Sequence, residues 1–129
     1  MALILGLLVC NIFLKPQVAR IRPYNFQLQE YGREITLLVK GLNDYSFPSG
    51  HTIASFEACT VLMLHDKRLG IPATVLAILI AFSRLYLYVH YPTDVLVSVV
   101  LGILFGILGN LIVNAVYKKF VYKGKYIEE

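Results

Sequence analysis

The sequence predicts an all-α fold: an integral membrane bundle of about four transmembrane helices, forming a single domain over residues 1–129. Hydrophobic residues make up 57% of the chain and the mean hydropathy is +0.66, values typical of multi-span membrane proteins. Charged residues account for only 16% and cluster outside the apolar runs. With 129 residues, the chain has room for one domain at most.

Four apolar segments account for the predicted helices, namely residues 2–14, 52–64, 71–89 and 95–117. Only the last two reach the roughly 20 residues that span a bilayer unaided. The second becomes long enough if residues 49–52 form its first turn and it continues to about Asp66. The first resembles a signal peptide, but it lacks a basic stretch before it and a small-residue cleavage site before Lys15.

The connections between these segments predict the topology. A turn at residues 65–70, with Pro72 placed to begin the next helix, is rich in Lys and Arg, and so is the C-terminal tail; both features are typical of the cytoplasmic side. The polar region 15–50, with a short interfacial helix expected at 33–40, and the turn after residue 89 then share the opposite side. The region 15–50 also contains several basic residues, and their number alone would favour the cytoplasmic side. We therefore assign Lys15 and Arg22 to a functional site instead of treating them as topology signals.

Other features of the composition have structural explanations. The net charge of +4 does not indicate nucleic-acid binding, because the lysines are concentrated at the C-terminal end and no soluble domain presents a basic face. Cys10 and Cys59 lie in apolar segments and are interpreted as small buried side chains. Gly102, Gly106 and Gly109 have the spacing that lets membrane helices approach closely.

The string Pro48-Ser49-Gly50-His51 is the first motif that carries chemistry. Pro and Gly beside a helix start leave free backbone N–H groups, which make a helix N-terminus a ready site for an anion. His51 would lie within reach of an anion bound there. The alternative is that Ser49 is only an N-cap and His51 an interfacial residue, so this motif alone is a weak signal.

The second motif combines Arg84, His90 and Asp94. An arginine inside an apolar segment costs several kcal/mol unless it meets a partner or a water-filled cavity, which favours a functional interpretation. Asp94 follows His90 by four residues, and a carboxylate there can accept the imidazole Nδ1–H and leave Nε2 as a nucleophile. Asp94 is also placed to cap the last helix.

Lys15 and Arg22-Pro23 form the third motif, just outside the first apolar segment. Alone they would be interpreted as a basic flank at the level of the lipid headgroups. Together with the other two motifs they favour an oxyanion site, because Arg22 and Arg84 offer bidentate forks and Lys15 offers a point charge to phosphoryl oxygens.

The three motifs together resemble the signature of the type 2 phosphatidic acid phosphatase (PAP2) family, membrane lipid phosphatases related to vanadium haloperoxidases. That signature is K-x6-R-P, P-S-G-H and S-R-x5-H-x3-D, and the chain matches it in order from Lys15 to Asp94. The resemblance implies metal-independent hydrolysis of a lipid phosphate or diphosphate through a phosphohistidine, with no cofactor. It also implies that His90 is the nucleophile, that Asp94 orients it and that His51 protonates the leaving group. The phosphate would be held by Lys15, Arg22, Arg84 and the backbone of Ser49 and Gly50.

The candidate substrates are undecaprenyl diphosphate, phosphatidylglycerol phosphate and phosphatidate. A site at the plasma membrane that faces away from the cytoplasm favours the polyprenyl diphosphate modestly. Two alternatives stay open. One is a vanadate-dependent haloperoxidase-like enzyme, which the membrane spans and small size disfavour. The other is a truncated, non-catalytic protein that binds lipid phosphate, which the intact motifs disfavour.

The chain is shorter than the six-helix bundle usual in the family, and it begins at what would be the third helix. We therefore expect either a late start at Met1 or a minimal version, with lipids and either a second copy or additional helices as partners. Glu57 lies about two turns into the second segment. The sequence leaves open whether it pairs with a cation, faces a polar cavity or is a buried protonated acid.

Overall fold

Helix α4, Gly50–His65, is the central element of the computed structural model, which describes residues 1–41 and 44–125. It packs against α5 (Lys67–Tyr86), α6 (Pro92–Lys125) and α1 (Ala2–Gly6), whereas α5 and α6 contact each other little. Asp66 alone joins α4 to α5, so these two helices are antiparallel neighbours. Every regular element in the described residues is helical, which confirms the predicted all-α class.

The N-terminal helical segment changes geometry twice. It starts as α1, continues as a π-helix over Leu7–Leu14 and ends as α2 over Lys15–Val18. The predicted segment 2–14 is therefore part of a longer helical stretch, which stops where Ala19 takes a left-handed φ of 46°. Because a π-helix pairs each residue with one five positions away, it changes the direction in which Lys15 leaves the helix.

The prediction of a short helix at residues 33–40 is wrong, because those residues form no regular element. A helix lies instead at Pro23–Tyr31 (α3). Arg22 is extended, and Pro23 takes the first helical position, where its fixed φ fits and its missing N–H is not needed. Gly32 ends the helix with a φ of 62°, a conformation that glycine adopts readily.

Helix α5 is displaced toward the N-terminus relative to the predicted segment 71–89. The Asp66 carboxylate accepts a hydrogen bond of 2.9 Å from the Arg68 N–H, which caps the helix ahead of the basic pair that was interpreted as a turn. Pro72, predicted to begin this helix, lies inside it. The helix ends at Tyr86, and Tyr88 then adopts a left-handed φ of 57°, which turns the chain before His90.

Among the described residues, three stretches are long and apolar enough to cross a membrane by length and composition, namely Ala2–Tyr31, Lys67–Tyr86 and Pro92–Phe120. Helix α4 has 16 residues and is the shorter fourth member of the bundle. Its bounds agree with the expectation that the second segment starts near Ser49 and ends near Asp66.

Small residues hold the bundle together. A Cβ atom on Gly102 would lie 2.7 Å from the Cβ of Phe56, and one on Gly106 would lie 2.8 Å from the Cβ of Thr60, so α6 meets α4 at close range. These distances confirm the packing role predicted for the glycines of the last segment. Cys10 and Cys59 are both free and buried, as predicted. The core joins α4, α5 and α6 through Phe56, Cys59, Ala77, Ala81 and Val95.

We expect Gly70→Ala to destabilise the protein by about 1–3 kcal/mol, the usual cost of overpacking. A Cβ on Gly70 would lie 2.4 Å from the Cα of Met63, which is backbone and cannot swing aside. Thermal unfolding in detergent measures the effect. Gly41→Ala is the matched control, because the nearest atom to its Cβ would be 3.9 Å away. Equal melting temperatures for the two variants would contradict the prediction.

Candidate active site

The three polar motifs meet at one end of the bundle, as the topology argument predicts. Arg22 from the third motif donates from Nη1 to the Val89 carbonyl oxygen at 2.8 Å, and the same nitrogen lies 3.5 Å from His90 Nε2 of the second motif. The first motif is tied to α6, because the Ser49 N–H donates to Ser98 Oγ at 2.8 Å. Ser98 Oγ in turn donates to the Asp94 carbonyl oxygen at 2.6 Å.

A cavity of about 460 Å³ opens at this end, between the N-terminal helical segment and α4. Five of the eight predicted site residues line it: Lys15, Arg22, Gly50, His51 and His90. The cavity therefore brings both predicted catalytic imidazoles together with two cations and the start of α4. Ser49, Arg84 and Asp94 lie outside its lining.

His90 is nearly buried, and its ring has a fixed orientation. Its Nδ1 lies 2.6 Å from the Ser46 carbonyl oxygen. Because a carbonyl oxygen can only accept, Nδ1 carries the proton and Nε2 keeps its lone pair. The nearest oxygen of Asp94 lies 3.8 Å from Nδ1, so the direct partner of the imidazole is Ser46 and not the predicted carboxylate. No sequence pattern marks a backbone carbonyl, which is why Ser46 was missed.

Asp94 is fully buried and joins the chain segments around His90. It accepts hydrogen bonds from Ser46 Oγ at 2.5 Å and from the Tyr91 N–H at 3.0 Å. The carbonyl oxygen of Ser46 also accepts a hydrogen bond from His90 Nδ1–H, so Ser46 connects Asp94 to the imidazole. An orienting role of Asp94, as the sequence predicts, would therefore act through Ser46.

Arg20 is a second residue that sequence reasoning did not assign to the site. Its Nη1 donates to Asp94 Oδ1 at 2.6 Å and to Thr93 Oγ1 at 2.7 Å, and its guanidinium carbon lies 3.9 Å from the centre of the Tyr91 ring. The ion pair compensates the charge of the buried Asp94, and the stacking adds a cation–π attraction. In the sequence Arg20 was one of several basic residues of a loop, with no spacing that distinguished it.

Lys15 and Arg22 share one carboxylate, that of Asp44. Arg22 is 2% exposed and donates from Nε to the Asp44 carbonyl oxygen at 2.9 Å and from Nη2 to Oδ1 at 2.5 Å. Lys15 Nζ pairs with Oδ2 of the same residue. The carboxylate oxygens thus occupy the positions between the two cations where the oxygens of a bound phosphate are expected.

The other predicted phosphate ligands differ in their availability. The Ser49 N–H is already hydrogen-bonded to Ser98, whereas Gly50 faces the cavity. Arg84 is half-buried and donates from Nε to Ser83 Oγ at 3.2 Å, outside the cavity lining. The positive charges of Arg84, Lys15 and Arg22 act on the His51 imidazole through space.

We expect the Asp44 pairing to make stability depend on pH. Burial alone would raise the pKa of Asp44, but hydrogen bonds from Lys15 and Arg22 outweigh it and lower this pKa from 3.8 to about 2. A pKa lowered by folding stabilises the protein fully above about pH 4 and loses that contribution as the pH falls toward 2. The melting temperature of Asp44→Asn, measured in detergent, should therefore change less between pH 4.5 and pH 2.5 than that of the wild type. Parallel profiles for the two proteins would contradict the pairing.

This arrangement suits transfer of an anionic group. His90 offers an unprotonated nitrogen, His51 a second imidazole that can carry a proton, and Lys15 and Arg22 positive charge at the same point. Within the described part of the chain, no group of three His, Cys, Asp or Glu side chains comes together as metal ligands.

A family model described as the PAP2 superfamily matches residues 1–118. Among solved structures, the chain is similar to a transmembrane PAP2-type phosphatidylglycerolphosphate phosphatase from Bacillus subtilis. The TM-score is 0.68 and the identity 30%, and the match covers 88% of this chain and 56% of that protein.

Curated relatives include two undecaprenyl-diphosphatases. The protein from Sulfolobus acidocaldarius is 40% identical over 86 residues, which cover 66% of this chain and 39% of the relative. The protein from Bacillus subtilis is 28% identical over 106 residues, covering 82% of this chain and 49% of the relative. The chain thus spans half or less of the length of these curated relatives.

Proposed function

Because the chain belongs to the PAP2 superfamily, we propose that it is a membrane lipid phosphatase that hydrolyses a lipid phosphate or diphosphate through a phosphohistidine on His90, without a metal ion. The observation that carries this proposal is the state of His90. Its Nδ1–H is committed to the Ser46 carbonyl oxygen, and its Nε2 faces the guanidinium of Arg22 at 3.5 Å. An imidazole held in this way is prepared to attack a phosphorus atom bound beside Arg22.

The reaction divides into two transfers. In the first, Nε2 of His90 bonds to phosphorus, the bond to the lipid oxygen breaks, and that oxygen takes a proton from His51. In the second, His51 accepts a proton from water as the water oxygen attacks phosphorus, and the bond to His90 breaks. Inorganic phosphate leaves, and both imidazoles return to their starting states.

Charge stabilisation is the main task of the remaining residues, since phosphoryl transfer depends largely on positioning and electrostatics. Lys15 and Arg22 can bind the non-bridging oxygens once Asp44 has moved aside. The N-terminus of α4 at Gly50 adds backbone N–H groups at the same place. Arg84 would need to turn from Ser83 toward the cavity to join them.

Phosphate release from a panel of lipids in detergent tests this function. The panel contains undecaprenyl diphosphate, phosphatidylglycerol phosphate and phosphatidate, each with EDTA present. We expect release from at least one lipid at an undiminished rate in EDTA. Activity that requires added Mg²⁺, or no release from any lipid, would refute the proposal. Peroxide-dependent bromide oxidation in the presence of vanadate would favour the haloperoxidase alternative.

We further propose that the site faces away from the cytoplasm at the plasma membrane. In support, Lys67 and Arg68 lie at the end of α4 opposite to Gly50 and the cavity. Single cysteines at Glu34 and at Lys119, both exposed, should respond differently to an impermeant thiol reagent in intact cells once Cys10 and Cys59 have been replaced. We expect labelling at position 34 in intact cells. Position 119 should be labelled only after permeabilisation. The reverse pattern would place the site in the cytoplasmic leaflet.

A further inference from the structure

The active-site cavity continues below the phosphate-binding end, between the N-terminal helical segment and α4. Its lining there is apolar on both walls, with Leu3, Leu7 and Cys10 on one side and Ile53 and Ala54 on the other. Such a lining suits the hydrocarbon part of a lipid. Two polar side chains, Asn11 and Glu57, interrupt it.

Glu57 is the more unusual of the two. It is 1% exposed, and its Oε1 has no hydrogen-bond partner in the part of the chain that the structure describes. A Cβ atom on Gly6 would lie 2.1 Å from this oxygen, so the absence of a side chain at Gly6 leaves room for the carboxyl group. Because a buried polar atom is costly when unpaired, an unpartnered oxygen beside a cavity points to a ligand that supplies the partner.

Two neighbouring groups act on the Glu57 carboxyl group, the backbone N–H of Gly6 and the N-terminal amine of Met1, but Oε1 itself has no hydrogen-bond partner among the described residues. The carboxyl group also borders a second cavity toward the opposite end of α4, whose polar residues include His65 and Asn110. These two side chains are hydrogen-bonded to each other at 2.9 Å. Lys15 and Arg22, which line the active-site cavity, are engaged by Asp44 instead.

Asn11 lies on the facing wall of the cavity. It is on the π-helix, four residues before Lys15, and its Oδ1 is 3.7 Å from the position that a Cβ on Gly50 would take. Its side chain is exposed, and among the described residues it forms no hydrogen bond. Asn11 is thus level with the start of α4, and Glu57 lies deeper in the same cavity.

The depth of Asn11 and Glu57 in the cavity can be compared with the positions of oxygen atoms along the candidate lipids. Glu57 follows His51 by six residues, a rise of about 9 Å along α4, and its side chain leans back toward the helix N-terminus. A lipid phosphate on glycerol carries hydroxyl or ester oxygens within two carbon atoms of its phosphate. A polyprenyl diphosphate carries only hydrocarbon beyond its second phosphate.

We propose that Asn11 and Glu57 form a subsite for the glycerol oxygens of the substrate, so that this enzyme selects phosphates of glycerol-based lipids over polyprenyl diphosphates. This inference rests on the proposed phosphatase function and narrows its substrate class. Glu57 is a specificity-determining residue in this scheme and takes no part in the phosphoryl transfer. The sequence-based preference for a polyprenyl diphosphate, which rested on topology alone, is reversed by the proposal.

A pair of single-chain substrates isolates the glycerol oxygens. Palmitoyl lysophosphatidate and hexadecyl phosphate both carry a terminal phosphate and a 16-carbon chain, but only the first contains glycerol. The readout is the ratio of the two kcat/KM values in detergent. We expect the wild type to favour lysophosphatidate and Glu57→Leu to lower the ratio about tenfold, the effect of one lost hydrogen bond. Asn11→Leu should lower the ratio in the same direction.

Two further variants make the test specific. Glu57→Gln keeps the size and the hydrogen-bonding capacity of the side chain and should retain most of the ratio. Ser55→Ala removes a polar group from α4 outside the cavity and should leave the ratio unaltered. A ratio that is equal in wild type and Glu57→Leu would overturn the subsite and leave the phosphatase function standing. A wild type that favours undecaprenyl diphosphate over phosphatidylglycerol phosphate would also overturn it. No phosphate release from any lipid would overturn both proposals.

Discussion

Replacement of His90 by alanine is expected to lower kcat by about 10³-fold or more, because it removes the group that we propose forms the covalent intermediate. The substrate should still bind, since Lys15 and Arg22 stay in place. The loss should therefore appear in kcat, with KM altered little. Single-turnover phosphate release in detergent, with the lipid that the wild type prefers, measures it.

His65→Ala is the matched control for that experiment. It removes another imidazole, one that bonds to Asn110 Oδ1 at 2.9 Å and does not line the active-site cavity, and it should retain wild-type activity. Brief reaction and denaturation of the wild type should also trap phosphate on the protein, stable in alkali and labile in acid. Appreciable residual activity in His90→Ala, or phosphate lost in alkali and stable in acid, would refute a phosphohistidine at this position.

His51→Ala is expected to affect different substrates unequally, because in the proposed reaction His51 donates a proton to the leaving group. A lipid alkoxide is a poor leaving group and needs that proton, whereas a nitrophenolate does not. The variant should lose on the order of 10²–10⁴ in kcat with a lipid phosphate and much less with p-nitrophenyl phosphate. His51 lines the cavity together with His90 and Gly50, which agrees with a place beside the bond that breaks in the proposed reaction.

The comparison of the two substrates separates this role from structural damage. A misfolded variant loses activity with both substrates in proportion, so a selective loss reports the proton transfer itself. Equal losses with lipid phosphate and p-nitrophenyl phosphate would remove His51 from the role of general acid. His51→Gln, which keeps a hydrogen-bonding side chain of similar length, should resemble the alanine variant if proton donation is what matters.

Much of the fold could be predicted from apolar periodicity, and the errors lie where polar residues form helices. Residues Lys67 and Arg68 looked like a turn, yet the Asp66 cap starts α5 ahead of them. Pro23 looked like part of a loop, yet it starts α3. In both places a local capping interaction decided the boundary, and hydropathy does not register such interactions.

The grouping of the motif side chains at one end of the bundle was predictable, because their spacing brings charged groups to the ends of apolar helices. The contacts that support these side chains could not be predicted. Ser46 acts through its carbonyl oxygen, and Asp44 and Arg20 act through side chains that belong to no motif. These residues come from irregular segments, and their contacts depend on how the loop folds back onto α6. A single sequence holds no periodic signal for such an arrangement.

The eight-residue π-helix at Leu7–Leu14 makes the site more sensitive to insertions than to substitutions. A π-helix holds more residues per turn than an α-helix, so relaxation to α geometry can absorb the loss of one residue. An added residue has no such compensation and turns the following chain by about 100°, which would rotate Lys15 away from the cavity. Apolar exchanges at exposed positions such as Ile12 leave the number of residues unaltered. In a random library of the gene, functional variants should therefore include many different sequences of this segment and no longer ones.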